Sequence, residues 1–404
     1  MSTSLLYHAF GIRGYQYVRS QYLGGEVTFT IQQPAKALRC SACGSRDVCP
    51  RGQAPRTFRS LPIGSRQTTI SFPVPRVQCR ACGLVRQTRI DFADPRRTYT
   101  KAFERFALEL SRRMTIRDVA HHLGVSWDVI KDIQKRDLSR RFAKPKLKHL
   151  RQIAIDEIAV AKGHRYLTVV LDLVSGAVVF VGDGKGGDAL KPFWKRLGRS
   201  QAKVQAVAMD MSPAYRAAVS EYLPEAVIVF DHFHVIKLLN EKLTGLRRQL
   251  YRQATEESAK QILKGTRWLL LKSPENLDPR RNESRRLEEA LELNRPLATA
   301  YYLKEDLRQF WSQGDRASAE TFLDDWISRA GASGIKLMVS FAGTLSAHRA
   351  GLLAYYDHRI SSGPMEGTNN KIKTMKRQAY GFRDQEFFKL KILAIHEAKY
   401  ALVG

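Results

Sequence analysis

Polar and apolar residues alternate with a period of two in short stretches of the first ninety-five residues, notably EVTFTI (26–31) and RQTTISFPVPRVQ (66–78). Set in a chain rich in Gly, Pro and Arg, these read as half-buried strands. Over 100–142 the apolar positions fall at helical spacing. The pattern changes again at 151. RQIAIDEIAV (151–160), RYLTVVLDLV (165–174) and GAVVFVGDG (176–184) read as three consecutive strands joined by short turns. A helix follows, DALKPFWKRLGR (188–199), then a strand, VQAVAMD (204–210), a helix opening at Ser212-Pro213, and a strand, AVIVFD (226–231). The predicted order is βββαβαβ. From about 236 to 357 the chain is helical and charged, and 363–404 returns to one strongly patterned segment. The basic, Pro-broken RFAKPKLKHL (141–150) reads as a linker, and no repeat of fixed period is present.

Length makes this picture multidomain, since 404 residues exceed what one core accommodates. Charge then separates the two ends. The net charge is +28, and residues 1–150 hold 28 basic against 10 acidic side chains, a net of +18. A basic N-terminal third points to contact with nucleic-acid phosphates. Bilayer spanning is not expected, because the longest apolar run (166–182) is broken by Asp172 and Ser175. The first residues lack a charged region followed by a clean apolar stretch, so the expected location is cytoplasmic.

All five cysteines lie within 40–82, which argues for metal over a distributed disulfide framework. CSACG (40–44) and CRACG (79–83) are two Cys-x-x-Cys-Gly knuckles. Cys40, Cys43, Cys79 and Cys82 can close a tetrahedral, structural Zn²⁺ site, with a β-hairpin spanning the gap between them. Cys49 has no place in that scheme. TIRDVAHHLGVSWDVIKDIQKR (115–136) fits a helix-turn-helix. Thr115 caps a helix whose Val119, Ala120 and Leu123 face inward; Gly124 permits a left-handed turn, with Val125 beneath it. Ser126 caps the second helix, which buries Ile130 and Ile133. Ser126, Trp127, Asp128, Lys131, Gln134 and Lys135 are then the candidate DNA-contacting residues in a major groove.

The remaining chemistry is acidic. In a βββαβαβ order of the ribonuclease-H-like kind, the first and fourth strands are neighbours, bringing Asp156 and Asp210 together. Paired carboxylates raise each other's pKa, and divalent cations remove the penalty. Asp231 ends another strand and competes with Asp210 as second ligand; the strand order favours Asp210. A third ligand can come from SSGPMEGTNNKIKTMKRQAYGF (361–382), where Glu366, Asn370, Lys373 and Arg377 line one helical face. Glu157 points away from Asp156 by strand alternation and is expected to be solvated or paired with a base. Asp172 and Asp183 read as ordinary turn caps. His232 and His234 read as structural, and Trp268, Trp311 and Trp326 as core residues of the helical stretch.

With these segments in view, the chain resembles the DDE transposases of bacterial insertion sequences, of the ISL-three type. EGTNNKIK, YGF and FDHFHV (230–235) carry the resemblance most specifically. It implies a zinc-ribbon DNA-binding domain (1–95), a helix-turn-helix domain (96–142), a linker (143–150) and an RNase H-like catalytic core (151–239 with 358–404). The core is interrupted by an all-helical insertion (240–357). It also implies Asp156, Asp210 and Glu366 as catalytic residues holding two Mg²⁺ or Mn²⁺ ions, supported by Asp231, His234, Asn370, Lys373 and Arg377. The implied activity is binding of terminal inverted repeats, then metal-dependent cleavage and strand transfer. The implied partners are double-stranded DNA of repeat and target, with a homodimer or larger assembly on the bacterial nucleoid. Two alternatives remain open on the sequence: a non-catalytic DNA-binding regulator, or a nuclease that cuts without rejoining.

Overall fold

The computed structural model describes residues 3–161, 163 and 165–396, so the last eight residues of the segment expected to close the core (397–404) lie outside the described residues. Two units divide the chain, 1–144 with 375–404 and 145–374.

The first unit begins with α1 (Thr3–Phe10) and a sheet of β1 (Gln16–Leu23), β2 (Glu26–Gln32), β3 (Val48–Arg59), β4 (Thr68–Cys79) and β5 (Val85–Gln87). Strand order is β1-β2-β4-β3, with β5 also on β4. The alternation seen in the sequence is the cause. Along β4, Ile70, Phe72 and Val74 turn inward and meet Phe29, Phe58 and Phe92, with Leu6 and Phe10 of α1. After the sheet come α2 (Lys101–Leu110), α3 (Ile116–Leu123) and α4 (Trp127–Phe142), whose core includes Phe103, Val119, Leu123, Ile130 and Ile133.

The second unit holds β6 (Gln152–Ala161), β7 (Arg165–Asp172), β8 (Val178–Asp183), α5 (Gly187–Gly198), β9 (Ala206–Met209), α6 (Pro213–Tyr222) and β10 (Val227–Phe230). The sheet order is β10-β9-β6-β7-β8. β7 runs antiparallel to β6 and β8, whereas β9 and β10 join in parallel. All of β9 is buried, which accounts for its uninterrupted apolar run. From α5, Leu190, Phe193, Trp194 and Leu197 form one apolar stripe in the same core.

Helices then continue: α7 (His232–Gln253), α8 (Glu257–Gly265), α9 (Glu283–Glu292), α10 (Arg295–Arg308), α11 (Arg316–Ala332), α12 (Lys336–Ala347) and α13 (Arg349–Leu353), with short 3₁₀ turns between them. These helices share one apolar core with the sheet, in which Trp326 and Phe341 join Met209 and Phe230. At the junction Gly351 meets the Phe230 ring so closely that an added Cβ would lie 2.4 Å from it. Trp268, expected in this core, is instead 64 % exposed, because it sits beside a 3₁₀ turn with no helical stripe to turn it inward. The chain closes through α14 (Gly363–Gln378) and α15 (Gln385–Leu393), and α15 packs on α4.

Candidate active site, zinc centre and nucleic-acid interface

Sheet register builds an acidic row. β6 pairs with β9 so that Ile153 faces Val207 and Ala154 faces Ala208. Carried two residues further, the same register sets Asp156 beside Asp210. β10 pairs Phe230 with Met209, which continues the row to Asp231. β9 and β10 both end here, at the edge where parallel sheets gather ligands. Neighbouring strands are about 4.8 Å apart, so the carboxylates cannot ignore one another. Burial raises the Asp156 carboxyl, and the charges of Asp210 and Glu157 add to this. The Glu157 N–H and His234 oppose it without prevailing.

The two candidate partners of Asp156 differ in availability. Asp231 is 1 % exposed and its oxygens are engaged. It accepts the Ser362 N–H at 3.3 Å and the Ser362 hydroxyl, and lies 3.2 Å from His234 Nδ1 and 3.5 Å from His232 Nδ1. Burial works to raise its pKa, but the His234 and Ser362 contacts outweigh that and hold it below the ordinary carboxylate range. Asp210 is half-buried and accepts the Ser212 N–H at 3.0 Å through Oδ1.

Ser362 connects the row to α14, since its carbonyl accepts the Glu366 N–H at 2.8 Å. Glu366 is half-buried in the first turn. Three residues on, Asn369 donates to Asp156 Oδ2 at 2.7 Å, while Asn370 and Lys373 are exposed. Asn369 is 6 % exposed, and its Oδ1 is buried with no partner among the described residues. Glu157 accepts from the Tyr215 hydroxyl at 3.2 Å, in place of the expected solvent or base. Asp172 caps a turn as expected, accepting from Val174 and Ser175.

The cysteines are gathered tightly. Cys40 and Cys82 Sγ are 3.7 Å apart, and Cys43 and Cys79 Sγ 3.5 Å. A tetrahedron with Zn–S of about 2.3 Å has edges of about 3.8 Å, so the sulfurs fit Zn²⁺. Backbone N–H groups of Cys43 and Ala42 pull the Cys40 thiol down to about 6, favouring the thiolate that a metal requires. Among the described residues this is the one set of three or more such side chains with ligand atoms within 4.8 Å of each other. Asp156, Asp210 and Glu366 are not drawn together to that degree.

In the helix-turn-helix, Thr115 caps α3 by accepting from the Asp118 N–H, and Gly124 ends it at φ 60°. Ser126 sits at the start of α4 without a side-chain cap bond. Trp127 and Asp128 are exposed, as expected. Gln134 is not: it is 5 % exposed. Lys131 and Lys135 are also engaged, both 3.1 Å from Asp384 Oδ2, with Lys135 2.8 Å from Glu386. The cause is α15, which covers a side of α4 that local periodicity leaves open.

A family model described as Transposase, of the ISL3 type, matches residues 153–392. The chain belongs to the ISL3 family of DDE transposases. Two further models match its other parts, the helix-turn-helix domain of transposase family ISL3 at 88–137 and the zinc-finger of transposase IS204/IS1001/IS1096/IS1165 at 36–82. The transposase for insertion sequence element IS1001 of Bordetella parapertussis is 33% identical over 374 residues, 92% of each chain. The transposase for element IS1557 of Mycobacterium tuberculosis is 31% identical over 392 residues, 90% of this chain and 87% of the relative. The Drosophila P element transposase strand transfer complex covers 76% of this chain and 94% of its own at 12% identity, with a TM-score of 0.39, too low to bear on the fold.

For this transposase, Asn369 and Ser362 are the site residues missed by the sequence. The signal for Asn369 was present in helical phase. Met365, Thr368, Asn369, Ile372 and Met375 are the buried face of α14, so the amide facing the sheet belongs to Asn369 and not to its neighbour Asn370.

Proposed function

We propose that Asp156, Asp210 and Glu366 are the catalytic carboxylates of this transposase and hold a pair of Mg²⁺ or Mn²⁺ ions against a DNA phosphate. The observation carrying this is the β6–β9 register, which runs on toward Asp156 and Asp210, together with the hydrogen bond from Asn369 of α14 to Asp156. The donor set fits hard cations: carboxylate oxygens whose mutual repulsion a cation relieves, and the orphaned Asn369 Oδ1 beside them. Asp156, Asp210 and Glu366 would hold the ions through their carboxylate oxygens. Bound divalent ions supply activation of water or a 3′-hydroxyl and stabilisation of the leaving oxygen. Asp231 acts through Ser362, fixing the start of α14 and hence Glu366; His234 holds Asp231 in turn.

The strand order β10-β9-β6-β7-β8 supports an RNase H-like core, with residues 240–357 as its helical insertion. The zinc ribbon and helix-turn-helix then hold the terminal inverted repeats, and the core cleaves and joins strands. Pairing of two ends calls for at least a homodimer on DNA, in the cytoplasm. The test incubates the protein with Mg²⁺ and the ends of its own element, mapping nicks and junctions. Metal-dependent nicks with joined products are expected. Binding without cleavage in Mg²⁺ or Mn²⁺ overturns the reading, and nicks without joined products reduce it to a nuclease.

A further inference from the structure

Helix α14 ends in two reversed hydrogen bonds, from the Tyr380 N–H to the Arg377 carbonyl at 3.1 Å and from the Gly381 N–H to the Lys376 carbonyl at 2.9 Å. This is a Schellman ending, whose left-handed position is ordinarily filled by glycine. Here Tyr380 fills it at φ 50°, a conformation that L side chains resist. No packing offsets the strain, since Tyr380 is 100 % exposed. Helix termination therefore explains the backbone but not the ring. A strained residue whose side chain does nothing for the fold is a candidate for binding.

Tyr380 borders a cleft of about 900 Å³ that is also lined by Arg117 of α3, Trp127 and Lys131 of α4, and Arg383. Trp127 is half exposed, and the Lys131 ammonium lies 5.4 Å from its ring. Asp384 borders the cleft, but its charge is met by Lys131 and Lys135. Arg117 and Arg383 are exposed and make no ion pair among the described residues, so the cleft is cationic. It adjoins the N-terminal turn of α4, the end of a recognition helix that approaches bases. Paired bases show only their edges in a groove, which hydrogen-bonding groups read. Two exposed aromatic faces between cations suit a base free of its partner.

We propose that this cleft binds an unpaired nucleotide of the DNA end, its base stacked on Tyr380 and Trp127 and its flanking phosphates on Arg117 and Arg383. The inference rests on the reading of α4 as the DNA-recognition helix. It assigns Tyr380 a positioning role at the DNA end, separate from the acidic row.

The test measures fluorescence anisotropy of the full chain with two probes, a blunt duplex of the element end and the same duplex carrying a short single-stranded thymidine extension. Wild type is expected to bind the extended probe about tenfold more tightly, at the lower end of what one base–aromatic stack supplies. Tyr380→Gly, which suits the left-handed position, should abolish that preference while leaving the blunt-duplex Kd unchanged and the hydrogen-exchange protection of the α14 amides equal or improved. Tyr380→Phe should retain the preference. Equal wild-type affinity for both probes, or a preference that survives Tyr380→Gly, overturns the proposal. A wild type that binds neither probe overturns the α4 reading, and this one with it.

Discussion

Asp384 offers a prediction whose size follows from its contacts. The carboxylate accepts the Phe387 N–H at 3.0 Å as the N-cap of α15, and pairs with Lys131 and Lys135 of α4. Partial burial works to raise its pKa, but the Phe387 N–H and the two ammonium groups prevail and bring it from 3.8 to about 2. That difference is worth ~2.4 kcal/mol, trimmed to about 2 kcal/mol by solvent reaching the 23 % of the side chain that is exposed. Asp384→Asn keeps a competent cap and removes the charge, so it should cost about 2 kcal/mol; Asp384→Ala also loses the cap, for ~1 kcal/mol more. Because the folded pKa lies below the unfolded one, this stabilisation is present above pH 3.8 and is lost as pH falls toward 2. Hydrogen exchange of the α15 amides, expressed as protection factors, measures it locally in a chain too large for a single unfolding transition. At neutral pH Asn should lower protection roughly thirtyfold and Ala a further fivefold, with the wild-type–Asn gap closing below pH 4. Equal protection in wild type and Asn at pH 7, or a gap that widens on acidification, would refute the reasoning.

Replacing Cys79 by Ser should take bound zinc from one ion per chain to none by elemental analysis, with loss of order in the two knuckles at 40–44 and 79–83. Asn369→Ala removes a hydrogen bond to a charged group and should slow strand cleavage roughly 10- to 100-fold, whereas Asn370→Ala should change it far less in the same nicking assay. Gly351→Ala would push a methyl into the Phe230 ring and should destabilise the second unit by about 1–3 kcal/mol, read as lowered hydrogen-exchange protection of the β9 and β10 amides.

The strands of the second unit are legible in the sequence because β-branched runs favour extended backbone. Thr115, Gly124 and the cysteine knuckles were equally legible, each being a local geometry written in a few residues. What escaped was tertiary. Nothing near Gln134 announces that a helix some 250 residues later covers it, and the same helix carries the acids that occupy Lys131 and Lys135. Asn370 lies on the exposed polar stripe of α14, whereas the contact to Asp156 comes from Asn369 on the buried one.

The central claim is that Asp156, Asp210 and Glu366 jointly hold metal, and equilibrium Mn²⁺ binding to the zinc-loaded protein with its end DNA tests it most directly. Two ions per chain are predicted for wild type, with Asp156→Asn losing both at unchanged zinc content and DNA affinity. Mn²⁺ binding by Asp156→Asn that matches wild type would contradict the account.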